Sequence, residues 1–379
     1  MPLPLRAFFA TIDWFLVLSA LAISLLGLVT MQPFAATGES FFDKQAVWIG
    51  ISLLVFCVAS IPTYSFLRRT PIVASLYSII IILLSLIFVL GTIVKGSQQR
   101  FNLGLFALQP SDPAKLILII VLAKYFARRH VEIGHLRHIF VSGIYAGLIC
   151  LLVFLQPDLG GAIIIASIWL GMVLVAGISW KHLAVLAAVG LVLAGGLWGF
   201  VLQPYQKARI LTFIHPLADI RGSGYNAYQS TVAVGSGEIT GKGIGFGTQS
   251  KLRFLPEYQT DFIFAAYAEE WGFIGVAILL CLYAVVMVRT LAIAARGGDN
   301  FATLFGLGIA IMFLAHFIVH VGMNVGLLPV TGTTIPFMSY GGSHLITEFA
   351  ALGILMGLSR RSKTVSRVED RTELLAASG

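Results

Sequence analysis

The stretch FLPEYQTDFIFAAYAEEWG, residues 254–272, joins the longest polar segment of the chain to an apolar run of membrane-spanning length. One carboxylate, Asp261, stands at the seam, and Glu269 and Glu270 follow two turns further in. Ionisable groups at membrane depth are costly and mark sites or pathways. The seam therefore sets both the class of the fold and the place to look for function.

Working outward, 58% of the 379 residues are hydrophobic and only 11% are charged. Soluble domains carry about 25% charged residues. The chain is expected to be an all-α integral membrane protein. A crossing helix needs about 20 mainly apolar residues. Ten stretches qualify, near 13–32, 45–61, 72–94, 113–127, 139–156, 160–177, 182–202, 262–288, 301–328 and 342–359. The fourth and sixth are short, which is tolerated where protein rather than lipid surrounds them. Residues 1–379 thus read as one polytopic domain. Its long outer loop, 203–261, lies between spans seven and eight, and 360–379 form a short basic tail.

Basic residues fall mostly in one set of loops and at the ends of the chain: Arg68, Arg69, Arg128, Arg129, Arg137, Lys181, Arg289, Arg296 and the run from Arg360. The positive-inside rule then makes both termini cytoplasmic and places 203–261 outside. The net charge of +8 sits at span ends. It reads as topology and contact with lipid headgroups rather than nucleic-acid binding. Cys57, Cys150 and Cys281 lie in apolar runs and form no disulfide or metal pattern. The run after Arg6 is too long for a signal-peptide core and reads as an uncleaved first span.

Several polar features need placing. The glycine-rich GSGEITGKGIGFGTQS, 235–250, lacks the glycine and hydroxyl positions of a phosphate-cradling Walker loop. It reads as a tightly turning loop on the membrane surface, with YNAYQSTVAV before it as a short interfacial helix. Asp112 reads as an N-cap ahead of Pro113, with Lys115 snorkelling from the first turn. Asp158 reads as a second cap. Glu269 and Glu270 cannot share one helix face, so one of them is expected to meet a basic group inside the bundle. His316 and His320, like His344 and Glu348, are four apart and share a face. Their unequal depths point to hydrogen-bonded packing groups rather than a metal site. For Asp261 the residues leave two readings open, a general base at the water–lipid boundary or the N-cap of the eighth span.

Seven blocks, taken in order, resemble the SEDS family of cell-wall polymerases over almost the whole chain. They are GSQQRFNLG with LQPSDPAK (96–115), LQPDLG (155–160), YQKARI (205–210), GYNAYQS (224–230), AVGSG (233–237), GKGIGFGTQSKLRFLPEYQTDFIFAAYAEEWGFIG (241–275) and GLLPVTGTTIPFMSYGG (326–342). The GTQSKLRFLPE wording and the short tails are closer to the rod-elongation branch than to the division branch. The sequence departs from the family pattern at His344, Glu348, Tyr258-Gln259 and Asp112, the last standing where glutamate is commoner.

The resemblance implies a ten-helix bundle in the bacterial cytoplasmic membrane that polymerises lipid II, a disaccharide-pentapeptide on undecaprenyl pyrophosphate. A sugar 4-hydroxyl attacks the anomeric carbon of a second unit with inversion, and Asp261 is implied as the base. Arg100, Lys115, Lys207 and Arg209 are then expected around the diphosphate, where fixed cations help most. Mg²⁺ or Mn²⁺ shared with the pyrophosphate would draw on Asp112, Asp158 or Glu257. No organic cofactor is expected. Glu269, Glu270 and Ser339 are expected as structural polar groups within spans. The implied partners are a class B penicillin-binding protein and other membrane proteins of the elongation complex. The competing readings are a flippase for the lipid-linked precursor and a non-catalytic scaffold. The polar clusters gather at one side of the membrane, which favours surface chemistry over transport.

Overall fold

The computed structural model describes residues 12–32, 41–94, 97–102, 104, 107–128, 136–215, 224–252 and 254–377. The helices in chain order are α1 (Trp14–Met31), α2 (Phe41–Ser60), α3 (Thr70–Leu90), α4 (Ser111–Ala127), α5 (Leu136–Leu155), α6 (Leu159–Ala176) and α7 (Trp180–Gly196). After them come α8 (Pro204–Ile214), α9 (Tyr225–Ser236), the single turn α10 (Thr248–Lys251), α11 (Ile263–Ala295), α12 (Asn300–Asn324) and α13 (Gly342–Ala377). Nine described helices are long and apolar enough to cross a membrane, counting α7 with the π turn Leu197–Val201 that extends it.

The fourth expected span is α4, and it differs from the rest. It is 17 residues long and 13 of them are buried, Asp112, Lys115 and Lys124 included. A helix packed against α3, α5, α6, α12 and α13 has little lipid to face, so it tolerates charges that a peripheral span does not. At the other extreme, α7 buries no residue at all.

Helix ends are tied by side chains. Asp13 caps α1 through the Leu16 N–H (3.2 Å) and accepts the Arg289 guanidinium of α11, with Nε 3.0 Å from each carboxylate oxygen. Ser179, Asp299 and the Gln203–Gln206 capping box start α7, α12 and α8. Successive crossings leave one end of the bundle rich in Arg68, Arg128, Arg289 and Arg360, here the basic end. The opposite, loop end carries 203–215, 224–252 and 254–262 and a feature absent from the sequence reading. Between α3 and α4 an antiparallel three-stranded sheet forms from β1 (Thr92–Val94), β2 (Ser97–Asn102) and β3 (Ala107–Leu108) in the order β1-β2-β3. Its register pairs Thr92 with Arg100 and Phe101 with Leu108.

The eighth span is not one helix. Gly272 breaks α11 with φ 64° and ψ −165°. A helix break orphans carbonyls before it and N–H groups after it, and burial of such groups needs partners. The glycine-rich loop supplies them. The N–H groups of Lys242 and Gly243 donate to the Glu269 and Glu270 carbonyls (3.0 Å each), while those of Phe273 and Ile274 donate to the Glu238 and Ile239 carbonyls (2.9 and 3.1 Å). Such close approach needs residues without a Cβ: one on Gly241 would lie 2.1 Å from the Glu270 oxygen, and one on Gly272 would lie 2.2 Å from the Gly241 nitrogen. Residues 237–243 are therefore a plug in a broken helix, not a loop lying on the membrane surface.

The plug also supplies the basic group expected for one of the two glutamates, Lys242 for Glu269, and sets both ahead of the span proper. Both are buried, and both lie before the break. Glu269 accepts the Lys242 ammonium (2.7 Å) and the Thr248 N–H (2.8 Å), and Glu270 accepts the Gly245 N–H (3.0 Å). The span proper is then Phe273–Ala295, about 35 Å at 1.5 Å per residue, against a hydrocarbon core of about 30 Å. Helix α9 differs from expectation in the same way. It packs on α11 and α12 rather than lying on an interface, and the Ser230 hydroxyl donates to the Asn324 carbonyl (2.9 Å).

Candidate active site

A cavity of ≈ 320 Å³ opens at the loop end. Asp261 reaches it from the turn ahead of α11, Asp112 and Lys115 from the first turn of α4, Asp158 from the start of α6, and Arg100 from β2. The strap 331–341, between α12 and α13, closes its far wall.

The strap and the Asp261 turn are stitched together through the main chain. The Asp261 N–H donates to the Glu257 carbonyl (3.0 Å), and the Asp261 carbonyl accepts from Asn324 Nδ2 (3.0 Å). The Ser339 hydroxyl donates to the Thr260 carbonyl (2.9 Å), and the Tyr340 N–H donates to the Gln259 carbonyl (2.8 Å). Gly332 sits at φ 72°, where a Cβ would stand 3.2 Å from Asp261 Oδ2. The carboxylate is thus backed by bare main chain. The N-cap of α11 is Phe262, not Asp261, and it makes no side-chain cap hydrogen bond.

A second set of charges lies alongside. Lys115 Nζ is 3.1 Å from Asp112 Oδ1, and both residues are buried. Asp112 is not an N-cap: α4 starts at Ser111, and its N-cap is Pro110. His344 bridges onward, with Nδ1 3.5 Å from Asp112 Oδ1 and Nε2 2.8 Å from Glu348 Oε1. Glu348 Oε2 accepts the Phe337 N–H (2.7 Å), which anchors the strap. The chain Lys115–Asp112–His344–Glu348 holds the lysine on the cavity wall. His316 and His320 serve the strap too, since Nδ1 of each donates to the carbonyl of Thr334 (3.1 Å) or Thr333 (2.7 Å). These are hydrogen-bonded packing groups. Among the described residues no cluster of three or more His, Cys, Asp or Glu side chains is arranged to hold a metal ion.

Asp158 caps α6, accepting the Gly161 N–H at 2.7 Å. Burial pushes its carboxyl up from the ordinary range, against the pull of that N–H and of Lys115. Burial likewise pushes the Tyr340 phenol up, although Arg100 lies near.

Three residues expected at the diphosphate or its metal are not brought to the cavity, and a fourth expectation, Ser339 within a span, also differs. Lys207 and Arg209 lie on α8, away from its wall. Glu257 also stays off the wall, and its side chain accepts from Gln259 and Thr260 at 3.4 Å. Ser339 is in the strap, not in a span. Conversely, Lys44, Trp48, Tyr340 and His344 line the cavity without having been singled out for it. Lys44 reaches it from the first turn of α2. The SYGG run at 339–342 was the one available signal for Tyr340.

Residues 5–364 match the FtsW/RodA/SpoVE family of cell cycle proteins. The peptidoglycan glycosyltransferase MrdB of Escherichia coli K12 is 36% identical over 348 residues, which span 91% of this chain and 93% of that protein. Among solved structures, one of a peptidoglycan synthase complex that coordinates polymerization and crosslinking superposes with a TM-score of 0.78 at 33% identity, covering 92% of this chain and 98% of the other. The rod shape determining protein RodA of Thermus thermophilus superposes at 0.67 with 30% identity, covering 92% and 96%. Fold and sequence agree, and the chain belongs to the SEDS family, the FtsW/RodA/SpoVE proteins whose members include peptidoglycan glycosyltransferases.

Proposed function

We propose that the chain polymerises lipid II into glycan strands at the outer face of the bacterial cytoplasmic membrane, in the manner its relatives' names describe. The loop end then faces outward and both termini are cytoplasmic. The observation that carries this reading is the sharing of one cavity by the Asp261 carboxylate and the cations Lys115 and Arg100.

Asp261 accepts the proton of the acceptor 4-hydroxyl as that oxygen bonds to the anomeric carbon of the donor. The bond from that carbon to the diphosphate oxygen breaks with inversion, so an α-linked donor gives a β-linked strand. Lys115, held by Asp112 and His344, and Arg100 face the charge that develops on the departing diphosphate, where preorganised cations contribute most. Lys44 lines the same mouth. Asp112 and Asp158 are already engaged by protein donors. They fit no all-protein metal cage among the described residues; Asp158 and Asp261 are the carboxylates that would hold a Mg²⁺ or Mn²⁺ brought by the substrate, which would supply neutralisation of diphosphate charge. A class B penicillin-binding protein is the proposed partner, joined by other membrane proteins of cell elongation, along outward apolar faces.

A transporter needs a polar path through both leaflets. Beside Glu348 the rings of Phe313, Phe337 and Phe349 pack edge to face with centroids 5.0 and 5.4 Å apart, which favours a site confined to the loop end. The test is polymer formation from lipid II, read on a gel, by wild type and Asp261→Asn with and without the cognate transpeptidase. The variant is expected to lose about 10²–10⁴-fold in rate. Equal rates would remove Asp261 from the chemistry. No polymer from wild type beside an active partner would bring the transporter reading forward.

A further inference from the structure

The basic end holds a feature that the polymerase reading does not use. Lys124, in the last turn of α4, is only 9% exposed, yet its ammonium has no ion pair or hydrogen bond among the described residues. Lysine is rarely buried without a partner. It opens instead onto two adjoining cavities of ≈ 280 Å³ each, and both are also lined by Arg128.

The first cavity is a charged mouth at the start of α12, with Arg68 and Asp299 on its wall. These two pair with each other. Arg68 is thereby compensated, and the mouth keeps two cations, Lys124 and Arg128. Among the described residues the Arg128 guanidinium makes only long bonds, to Thr70 Oγ1 (3.5 Å) and the Arg68 carbonyl (3.4 Å). A helix C-terminus attracts cations, which accounts for the charges of Lys124 and Arg128 at the end of α4 but not for the burial of a lysine that has no partner among the described residues. The second cavity runs from the mouth between α3, α4 and α5 and is floored by three tyrosines. Tyr77 and Tyr125 each stand edge-on to the Tyr145 ring, with centroids 5.6 and 6.2 Å apart, and the Tyr77 hydroxyl donates to the Tyr145 carbonyl (2.9 Å). Exposed Ala74 and Ser78 form its outer lip.

We infer that this end of the bundle binds an anionic phospholipid, its phosphate on Lys124 and Arg128 and its glycerol and upper acyl chain along the Tyr77–Tyr125–Tyr145 groove. Charge complementarity selects a phosphodiester. The unbroken passage from cationic mouth to aromatic groove, at the depth where bilayers place both, selects a lipid over a free anion. In the orientation proposed above this is the inner leaflet, whose surface is anionic. The binding chemistry itself does not depend on that orientation or on the polymerase activity.

The test is native mass spectrometry of the purified full chain with phosphatidylglycerol or phosphatidylcholine of matched acyl chains. Wild type is expected to retain phosphatidylglycerol at least about tenfold better, the effect of two cations at a membrane surface. The Lys124→Met/Arg128→Gln variant is expected to lose that preference, while Lys207→Gln/Arg209→Gln, which removes two cations at the loop end, keeps it. Melting in phosphatidylcholine nanodiscs checks that the variants fold. Should the double variant fail to fold, Arg128→Gln alone, at an exposed position, is expected to lower the preference about threefold. The inference is overturned by a wild type without preference or by variants at Lys124 and Arg128 that match wild type. It is equally overturned by loss of preference in the loop-end variant, or by full displacement of the lipid with millimolar inorganic phosphate.

Discussion

Replacing Gly272 with alanine tests whether the glycine plug holds the candidate base in place. Its backbone, at φ 64° and ψ −165°, lies in a region closed to residues with a Cβ, at a cost of about 1–3 kcal/mol. The added carbon would also stand 2.2 Å from the Gly241 nitrogen and 2.7 Å from the Ile239 carbonyl oxygen, and both are main chain that cannot rotate away. The loop must retreat. If two of the four splicing hydrogen bonds are lost, at about 1 kcal/mol each, the total is about 3–5 kcal/mol. Gly243 is the internal control. It too has positive φ (94°), but a Cβ there meets only the Phe246 ring at 3.4 Å, so Gly243→Ala costs about 1–2 kcal/mol. Tryptic cleavage after Lys251, in the same loop, reads the open population when reclosing is fast. At 1.4 kcal/mol per decade, Gly272→Ala is expected to be cut about 10²- to 4 × 10³-fold faster than wild type and Gly243→Ala about tenfold faster. Equal cleavage of the two variants would refute the splice argument. Polymer yield should fall with the first variant, because the retreating loop is spliced into the helix that begins two residues after Asp261.

Other expectations follow from single contacts. Asp158→Ala loses the cap on Gly161 and about 1 kcal/mol, lowering the melting temperature, whereas Asp158→Asn keeps an acceptor and stays near wild type. Lys242→Met leaves buried Glu269 without its cation and costs about 1.5–3 kcal/mol, measurable as a lower melting temperature that Lys242→Arg largely restores. Lys115→Met should reduce the rate of lipid II polymerisation about 10²-fold. Lys207→Met/Arg209→Met, off the cavity wall, should stay within about threefold of wild type; a larger loss would return those two cations to the diphosphate.

The membrane-spanning framework was legible because lipid imposes one demand everywhere, a long apolar stretch with its backbone bonds closed internally. That demand is weakest for α4, and α4 is where composition was least regular. Asp261, Lys115 and Arg100 were legible as charges at one end of the bundle, and they share the cavity. Lys207 and Arg209 carried the same signal and lie elsewhere, since charge and side of membrane do not fix azimuth around a bundle. The plug was illegible for a different reason. Glycines at 241, 243 and 245 announce positive φ or close approach, but not which main chain approaches them. Glu269 and Glu270 looked like charges at membrane depth because nothing local marks Gly272 as a break. His344 was invisible as a bridge because its carboxylate Asp112 lies in α4, far away in the sequence.

Helix α7 has a consequence of its own. No residue of Trp180–Val201 is buried, so side-chain packing does not set its tilt. Lipid does. Its 22 residues span about 33 Å, close to the hydrocarbon thickness of an average bilayer. A thinner membrane must lean such a helix and a thicker one must straighten it. The far end continues through Leu202 and Gln203 into α8, so leaning at one end is displacement at the other. Bilayer thickness thereby becomes a mechanical input to the outer loop, delivered by the crossing segment that, among those described, buries no residue.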